Sequence, residues 1–481
     1  MPSPAIQDDS SRLRHADVII AAAIAVVLVL WLTSLPLCTL NADEGINLMK
    51  ARLVGEGYRL YRDIWSDQPA LFTWLLAGWQ RVFGDSLAAS RALVVLFSGL
   101  LMLSLSRLVR HAGPPWVGLL ALGLVLGSRR YVKLSVAVMI GLPAIATALC
   151  SLWLLAVHGR NHRWPWLVAS AVLFAVSLQI KLFTFILLPV AVVMVVGVVK
   201  GRWGVMAWVG VVAGAFLALS LAAHVPPWDQ LVTPHLGGDQ PVAGRLAENG
   251  SKLLGFLMED APLTLLAAVG AAGSLSRGRR QVLLPLIWLG CSILALLPSQ
   301  NIWSHHRLML TVPLAAVAAI GLGELLGGPH PTTWRKATLA MLIVAAGLGI
   351  YRVGDQVWLM GRDGDDHLDM RILAAMRQHR DGTRWVVTDH PIYAYVTGLN
   401  VPPEVAVLSA KRVRQSGPPG ELMRLSVERR HPEQILLARY SQYPQLAQVL
   451  HERYVLVAKS RVRGDARLLY LRADVARPAE Q

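Results

Sequence analysis

Three carboxylates gather just past the first long apolar run. Residues 40–69 read LNADEGINLMKARLVGEGYRLYRDIWSDQP, with Asp43 and Glu44 adjacent and Asp67 directly ahead of Gln68-Pro69. Carboxylates at the mouth of a membrane span are expensive to hold there and mark a functional site. An ionised Asp43 can take a proton from a hydroxyl group. The same pair suits the start of a helix over 44–55, with Asn41 or Asp43 as its cap and acids in its first turn. The two readings are compatible, because a carboxylate at a helix start is also fixed in position.

Cations supply the complementary chemistry. Arg129, Arg130 and Lys133 cluster between two apolar runs, where Arg offers paired donors to a phosphate and Lys a point charge. Their alternative is to snorkel at lipid headgroups. Lys181, alone in LQIKLFTF, lies either in a short exterior turn or against a cavity, where it needs an anion. His305-His306-Arg307 precedes a late apolar run. Adjacent histidines do not share a helix face, which argues against a two-histidine metal site and for a phosphate or sugar hydroxyl, with interfacial snorkelling as the alternative. Residues 45–57 read as an amphipathic helix with Ile46, Met49, Leu53 and Val54 on one face, a pattern that also suits a helix lying in the membrane interface. Tyr58–Pro69 is then a loop, and Ala70–Phe83 a second helix. Asn249-Gly250-Ser251 fits a glycosylation sequon, a common pattern.

The elements that must position these residues are membrane helices. The chain of 481 residues is 54% hydrophobic, with a mean hydropathy of +0.47. Its apolar residues fall in about eleven runs near the roughly 20 residues needed to cross a bilayer: 18–40, 87–106, 116–128, 134–157, 165–180, 182–199, 204–223, 261–276, 281–298, 308–326 and 337–352. The first run is too long for the core of a cleaved signal. The net charge of +16 lies largely in the loops between runs, which fits membrane topology rather than nucleic-acid binding. The loops carrying Arg107 and Arg110, Arg160 and Arg163, Lys200 and Arg202, Arg277 to Arg280, and Arg335 and Lys336 hold no acid. They fall on one side, which is expected to be cytoplasmic and to carry the N-terminus. Residues 41–86, 129–133, 224–260, 299–307 and everything beyond about 353 then face outward. That side collects Asp43, Glu44, Asp63, Asp67, Asp85, Asp229, Asp239, Glu259 and Asp260.

Cys38, Cys150 and Cys291 lie in or at the end of apolar runs without a metal or disulfide spacing, so they are expected to pack as small residues. From 353 to 481 the chain is polar enough for a soluble domain. A helix over 368–379 and strands at 385–388, 434–437, 454–458 and 468–471 predict a small α/β unit. It is expected to act as a cap or acceptor-recognition module.

The stretch DEGINLMKARLVGEGYRLYRDIWSDQPALFTWLLAGWQRVFGDSLAASRAL resembles the GT-C glycosyltransferases of the protein O-mannosyltransferase and aminoarabinose-transferase type. The matching residues are Asp43-Glu44, Tyr61-Arg62-Asp63, Asp67-Gln68-Pro69 and Phe83-Gly84, with Lys181 and His306-Arg307 further on. The stretch VVTDHPIYAYVTGLNVPPE resembles the outer domain of bacterial members. Two positions depart from the pattern: Gln68 stands where a basic residue precedes the proline, and Gly141 where an acid is common.

The resemblance implies a polytopic α-helical membrane protein of the GT-C type, with about eleven transmembrane helices in residues 1–352 and an extracytoplasmic α/β domain in 353–481. It implies inverting transfer of a sugar from a polyprenyl-phosphate donor to a cell-envelope glycan, lipid or protein. Asp43 would be the base, with Glu44 and Asp67 beside it. Arg129, Arg130, Lys133, Lys181, His306 and Arg307 would bind the donor phosphate, and Tyr61, Arg62 and Gln68 would form the substrate loop. No cofactor is expected, although Asp43 and Glu44 could share a divalent ion. The competing reading is a lipid-linked sugar flippase or transporter without transfer chemistry. It calls for charges near mid-span, whereas these carboxylates stand at one mouth.

Overall fold

The computed structural model describes residues 4–35, 42–199, 201–223, 228–236, 241–300, 302–327, 332–362, 368–439, 443–462 and 465–476. Cys38, Asn41, Lys200 and Asp239 lie outside the described residues. The first ten helices are α1 (Pro4–Ser34), α2 (Ala42–Gly55), α3 (Leu71–Phe83), α4 (Leu87–Val109), α5 (Val117–Leu126), α6 (Arg129–Val136), α7 (Gly141–Asn161), α8 (Trp164–Ile180), α9 (Leu188–Val198) and α10 (Arg202–Ala222). Two single turns, α11 (Trp228–Leu231) and α12 (Thr233–Leu236), lead to α13 (Val242–Glu259), α14 (Ala261–Leu275), α15 (Leu283–Leu296), α16 (Leu308–Gly327) and α17 (Thr332–Arg362).

Among the described residues, six helices are long and apolar enough to cross a membrane: α1 from His15 onward, α4, α7, α10, the segment Ser304–Gly327 and the segment Lys336–Asp355. This is a multi-pass membrane protein. The helices α13 and α14 pass the same test only as a pair bent by 90°. Within the described residues each apolar run named above falls mainly on helix, but four of those helices have only 10–17 residues. A helix of about 10 residues rises roughly 15 Å, half the hydrocarbon thickness. Helix length alone therefore supports fewer full crossings than the run count. The turn expected at 129–133 is instead the helix α6, and a break at 137–140 separates it from α7.

The centre of the bundle is formed by α7 and α16, buried along most of their length, while α1, α10 and much of α17 keep their apolar side chains exposed, as helices facing lipid do. The helices α14 and α16 meet at Gly270 and Gly321. A Cβ on Gly321 would stand 2.4 Å from the Gly270 backbone, so a side chain there would force the helices apart. Asn249 of the sequon is buried in α13 and donates from Nδ2 to the carbonyls of Leu297 at 3.0 Å and Ser299 at 2.7 Å. It ties two chain segments together and is closed to modification in this fold.

Residues 368–476 carry one four-stranded sheet of order β1-β2-β4-β3, with β1 (Val386–Thr388) parallel to β2 (Gln434–Leu437), and β4 (Asp465–Arg472) antiparallel to β2 and β3 (Tyr454–Val462). Its helices are α18 (Met370–Gln378), α19 (Ile392–Val396), α20 (Ala410–Ser416), α21 (Pro419–Arg430), α22 (Pro444–Arg453) and α23 (Ala473–Ala476). The expected strands and the helix at 368–379 coincide with observed ones. Asp369 caps α18 through the backbone N–H groups of Arg371 and Ile372.

This sheet region packs on α2, which corrects the interfacial-helix reading. Residues 44–51 of α2 are all buried, polar faces included, so the helix has no side left for lipid. Its approach to α19 runs over Gly45, where a Cβ would lie 2.5 Å from the Ile392 backbone nitrogen. The Arg52 side chain then stacks 4.0 Å from the Tyr395 ring centre, donates to the carbonyls of Tyr395 and Leu399, each at 3.1 Å, and pairs with Asp85. Gly45→Ala is expected to cost about 1–3 kcal/mol by overpacking. Gly55→Ala on the same helix meets open space and should be neutral or stabilising, so thermal unfolding of the two variants in one detergent checks the contact.

Candidate active site

The two adjacent acids of α2 face different partners. Glu44 is fully buried and accepts from Arg91 of α4 at both oxygens, Oε1 from Nε and Oε2 from Nη2, each at 2.8 Å. Its Oε1 also accepts from the Val138 N–H at 3.0 Å. Arg91 reaches on to the Leu35 carbonyl at 3.0 Å, and Asn47 donates to the Val138 carbonyl at 2.9 Å. With α2 thus clamped to α4 and to the 137–140 break, Glu44 has its carboxylate taken up by protein donors. Asp43, one residue earlier and about 100° round the helix, is half-buried, and its charge favours the ammonium form of Lys181.

Asp67 is the electrostatic centre of the cleft. Its Oδ2 accepts from Lys411 Nζ at 2.9 Å and from Gln68 Nε2 at 3.0 Å. Its charge opposes the effect of burial on Lys50 and Lys181. Lys50, buried one turn beyond Asn47 on α2, is held below the usual lysine range by burial. Lys181, in the break between α8 and the turn that leads to α9, is pushed down to about 8, first by burial and then by the neighbouring Lys411 charge, with Asp67 and Asp43 opposing. His305 and His306 stand with ring centres 4.4 Å apart within electrostatic reach of Lys181 and Lys411. The Trp303 N–H donates to His306 Nδ1 at 3.1 Å, which leaves Nε2 as the nitrogen that carries the proton.

The 58–69 loop is built to present Asp67. Tyr61 adopts a positive φ of 68°, a strained conformation for an aromatic residue and a sign that the surroundings fix it. Its N–H donates to the Ile64 carbonyl at 2.7 Å, its hydroxyl to the Gln68 carbonyl at 2.9 Å, and its own carbonyl accepts from Gln230 at 3.0 Å. Burial, with the charge of Asp67, raises the Tyr61 hydroxyl above its ordinary value. Gln68 pairs with Asp67, whereas Arg62 is exposed on the outside of the loop.

The remaining cations form a second group. Arg129 pairs with Asp355 and donates to the Arg352 carbonyl at 3.2 Å. Arg307 is buried, pairs with Glu259 and lies 4.6 Å over the Phe256 ring. Arg130, depressed first by burial and then by Arg307, shares the field of Glu259 and Asp260. Lys133 lies half-buried on the last turn of α6. The fold thus brings Asp67, Tyr61 and Gln68 together with Lys411, places Asp43, Lys181 and His306 in their field, sets Arg130 near His305 with Arg307 in turn near Arg130, and pairs Glu44 with Arg91 and Arg129 with Asp355. No group of three His, Cys, Asp or Glu among the described residues could hold a metal ion. A Cβ on Gly141 meets nothing within 4 Å, so the missing acid leaves open space.

Sequence reasoning missed Lys50 and Lys411. Lys50 had a local signal, since Asp43, Asn47 and Lys50 follow 4- and 3-residue steps along one helix face. Lys411 lies 344 positions from the acid it meets and had none.

Arg91→Met should leave Glu44 charged and buried without its partner, at a cost of about 3–5 kcal/mol, read as loss of folded protein in detergent. Lys181 should set a pH limit. Its ammonium is present below about 8 and lost above it, so any anion binding it supports should weaken as pH rises through that value. Lys181→Arg should remove the decline, which titration of binding between pH 6 and 9 would reveal.

Residues 67–228 match the family model described as dolichyl-phosphate-mannose-protein mannosyltransferase. No curated protein matches the chain. Among solved structures, ArnT from Cupriavidus metallidurans in the apo state superposes with a TM-score of 0.66 and 14% identity, over 96% of this chain and 100% of that one. The same protein bound to undecaprenyl phosphate gives 0.63 and 13%, over 96% and 99%. The apo oligosaccharyltransferase of Archaeoglobus fulgidus gives 0.57 and 10%, over 86% and 69%. The resemblance read from residues 43–93 therefore extends to the architecture, and this chain has the fold of the GT-C glycosyltransferases.

Proposed function

We propose that the protein is a glycosyltransferase that moves a sugar from a polyprenyl-phosphate donor to an acceptor on the extracytoplasmic face of the membrane. The observation that carries the reading is the gathering of charges about Asp67, which pairs with Lys411 at 2.9 Å and acts with its charge on the buried Lys50 and on Lys181, as Asp43 also does on Lys181. Carboxylate and ammonium groups in one enclosed site are what a proton-abstracting transfer from a phosphate requires. The fold shared with a protein solved with undecaprenyl phosphate supports the donor class.

In this reading Asp43 accepts the proton of an acceptor hydroxyl. The freed oxygen attacks the anomeric carbon from the face opposite the phosphate. The carbon–oxygen bond to phosphate breaks, the polyprenyl phosphate leaves with the electron pair, and the sugar's configuration inverts. The cations stabilise the charge that develops on the leaving phosphate. Glu44 takes no part in the chemistry and acts by fixing the angle of α2. Asp67 organises the cations. The basic loops lie in the cytoplasm with the N-terminus, the sheet region lies outside, and the short helices complete about eleven crossings by tilting or by local thinning of the bilayer. The acceptor is a glycan, lipid or protein of the cell envelope.

Glycolipid and glycoprotein profiles of cells carrying the wild type, a deletion and Asp43→Asn test this. The deletion and Asp43→Asn should lose the same sugar from the same envelope component, with protein level unchanged. At least about a hundredfold of the rate should go with the base. Full transfer in Asp43→Asn would remove Asp43 from the role.

A further inference from the structure

The sheet region reaches into the cleft through one short helix. On α20, Lys411 Nζ lies 2.9 Å from Asp67 Oδ2. Gln415 Oε1 accepts from Trp65 Nε1 at 3.3 Å, and Gln415 Nε2 donates to the Asp229 carbonyl at 2.9 Å. Arg412 stands 5.8 Å over the Trp65 ring, with Nε and Nη1 enclosed and without a hydrogen-bond acceptor among the described residues. Arg414 donates to Gln300 at 2.9 Å. These contacts seat α20 on the loop that carries Asp67.

The arrangement is electrostatically incomplete. Lys50 from α2, Lys181 from the break after α8 and Lys411 from α20 converge from separate parts of the chain on the two carboxylates Asp43 and Asp67. The charge of Lys411 reaches Lys181 and opposes its proton. Like charges gathered in an enclosed space repel, and an anion placed between them relieves that cost. Arg412, on the same turn, adds guanidinium donors with no acceptor among the described residues.

We propose that Lys411 is a ligand of the donor's phosphate group, delivered to the cleft by the sheet region and held by Asp67 until the phosphate arrives. This rests on the donor reading above. It gives the C-terminal region a direct part in donor recognition as well as any contact with the acceptor. An ammonium is suited to the exchange, because a point charge on a flexible stem can pass from a carboxylate to a phosphate with little loss of geometry.

The test uses the full chain in nanodiscs, with a polyprenyl monophosphate and the uncharged polyprenol of the same chain length as probes. The wild type should bind the phosphate more tightly than the alcohol. Lys411→Met should lower phosphate affinity at least about tenfold and leave alcohol affinity unchanged, and Lys411→Arg should retain most of the preference. Gln415→Ala, which loosens α20 without removing charge, should keep the preference intact. Equal losses for both probes in Lys411→Met would mean that Lys411 only packs the loop, and no loss would place it outside the phosphate site; either result overturns the proposal. A wild type that does not distinguish the probes overturns the donor reading itself. A measurement on unaltered protein covers failure of the variant to fold. Reductive methylation of Lys411, followed by mass spectrometry, should slow with the phosphate and not with the alcohol, and an unchanged rate would also overturn the assignment.

Discussion

The bidentate pair between Glu44 and Arg91 is the constraint on which the site depends. Two fully buried charges are worth keeping only when their geometry is close to ideal and their remaining lone pairs are satisfied. Here each carboxylate oxygen takes a guanidinium N–H, and the Val138 N–H adds a third bond. That arrangement fixes both the position and the rotation of α2. Rotation matters most, because Glu44 and Asn47 both hold the 137–140 break, while Asp43 and Lys50 come within the fields of Lys181 and Asp67.

From that fixed helix the rest of the site follows by contact. The loop after α2 doubles back through the strained Tyr61 to set Asp67 against the lysines. The sheet region is held to the other end of α2 by Arg52, and Asn400 donates to Glu56 at 2.7 Å. One helix therefore carries the candidate base, a buried ammonium and the attachment of the C-terminal region. Movement of that region would reach Asp67 through α20 and Lys411.

Much of this architecture was legible in the sequence because it rests on local patterns. Apolar runs mark membrane helices, alternation marks strands, and the stretch from Asp43 to Pro69 announces itself by placing acids where a span ends. What escaped depends on packing. Asp43 and Glu44 are neighbours in sequence, and only the helix phase against α4 separates a cleft carboxylate from a buried one. The amphipathic pattern of 45–57 suggested a helix with one wet or lipid-facing side, because the sheet region that covers it is encoded more than 300 residues later. The pairing of Arg129 with Asp355, 226 positions away, had no local signal either. Run length does not reveal where a helix breaks, so among the described residues six helices are long enough to cross whole and the other runs fall on shorter ones.

The central claim is chemical transfer from a lipid-linked sugar, and reconstitution tests it most directly. Purified protein in liposomes would receive a polyprenyl-phosphate sugar labelled in the sugar ring, together with an envelope acceptor fraction. The account predicts that label moves onto the acceptor through a linkage of inverted configuration. Label that crosses the bilayer while still attached to its polyprenyl phosphate, with none on any acceptor, would contradict it and identify a carrier.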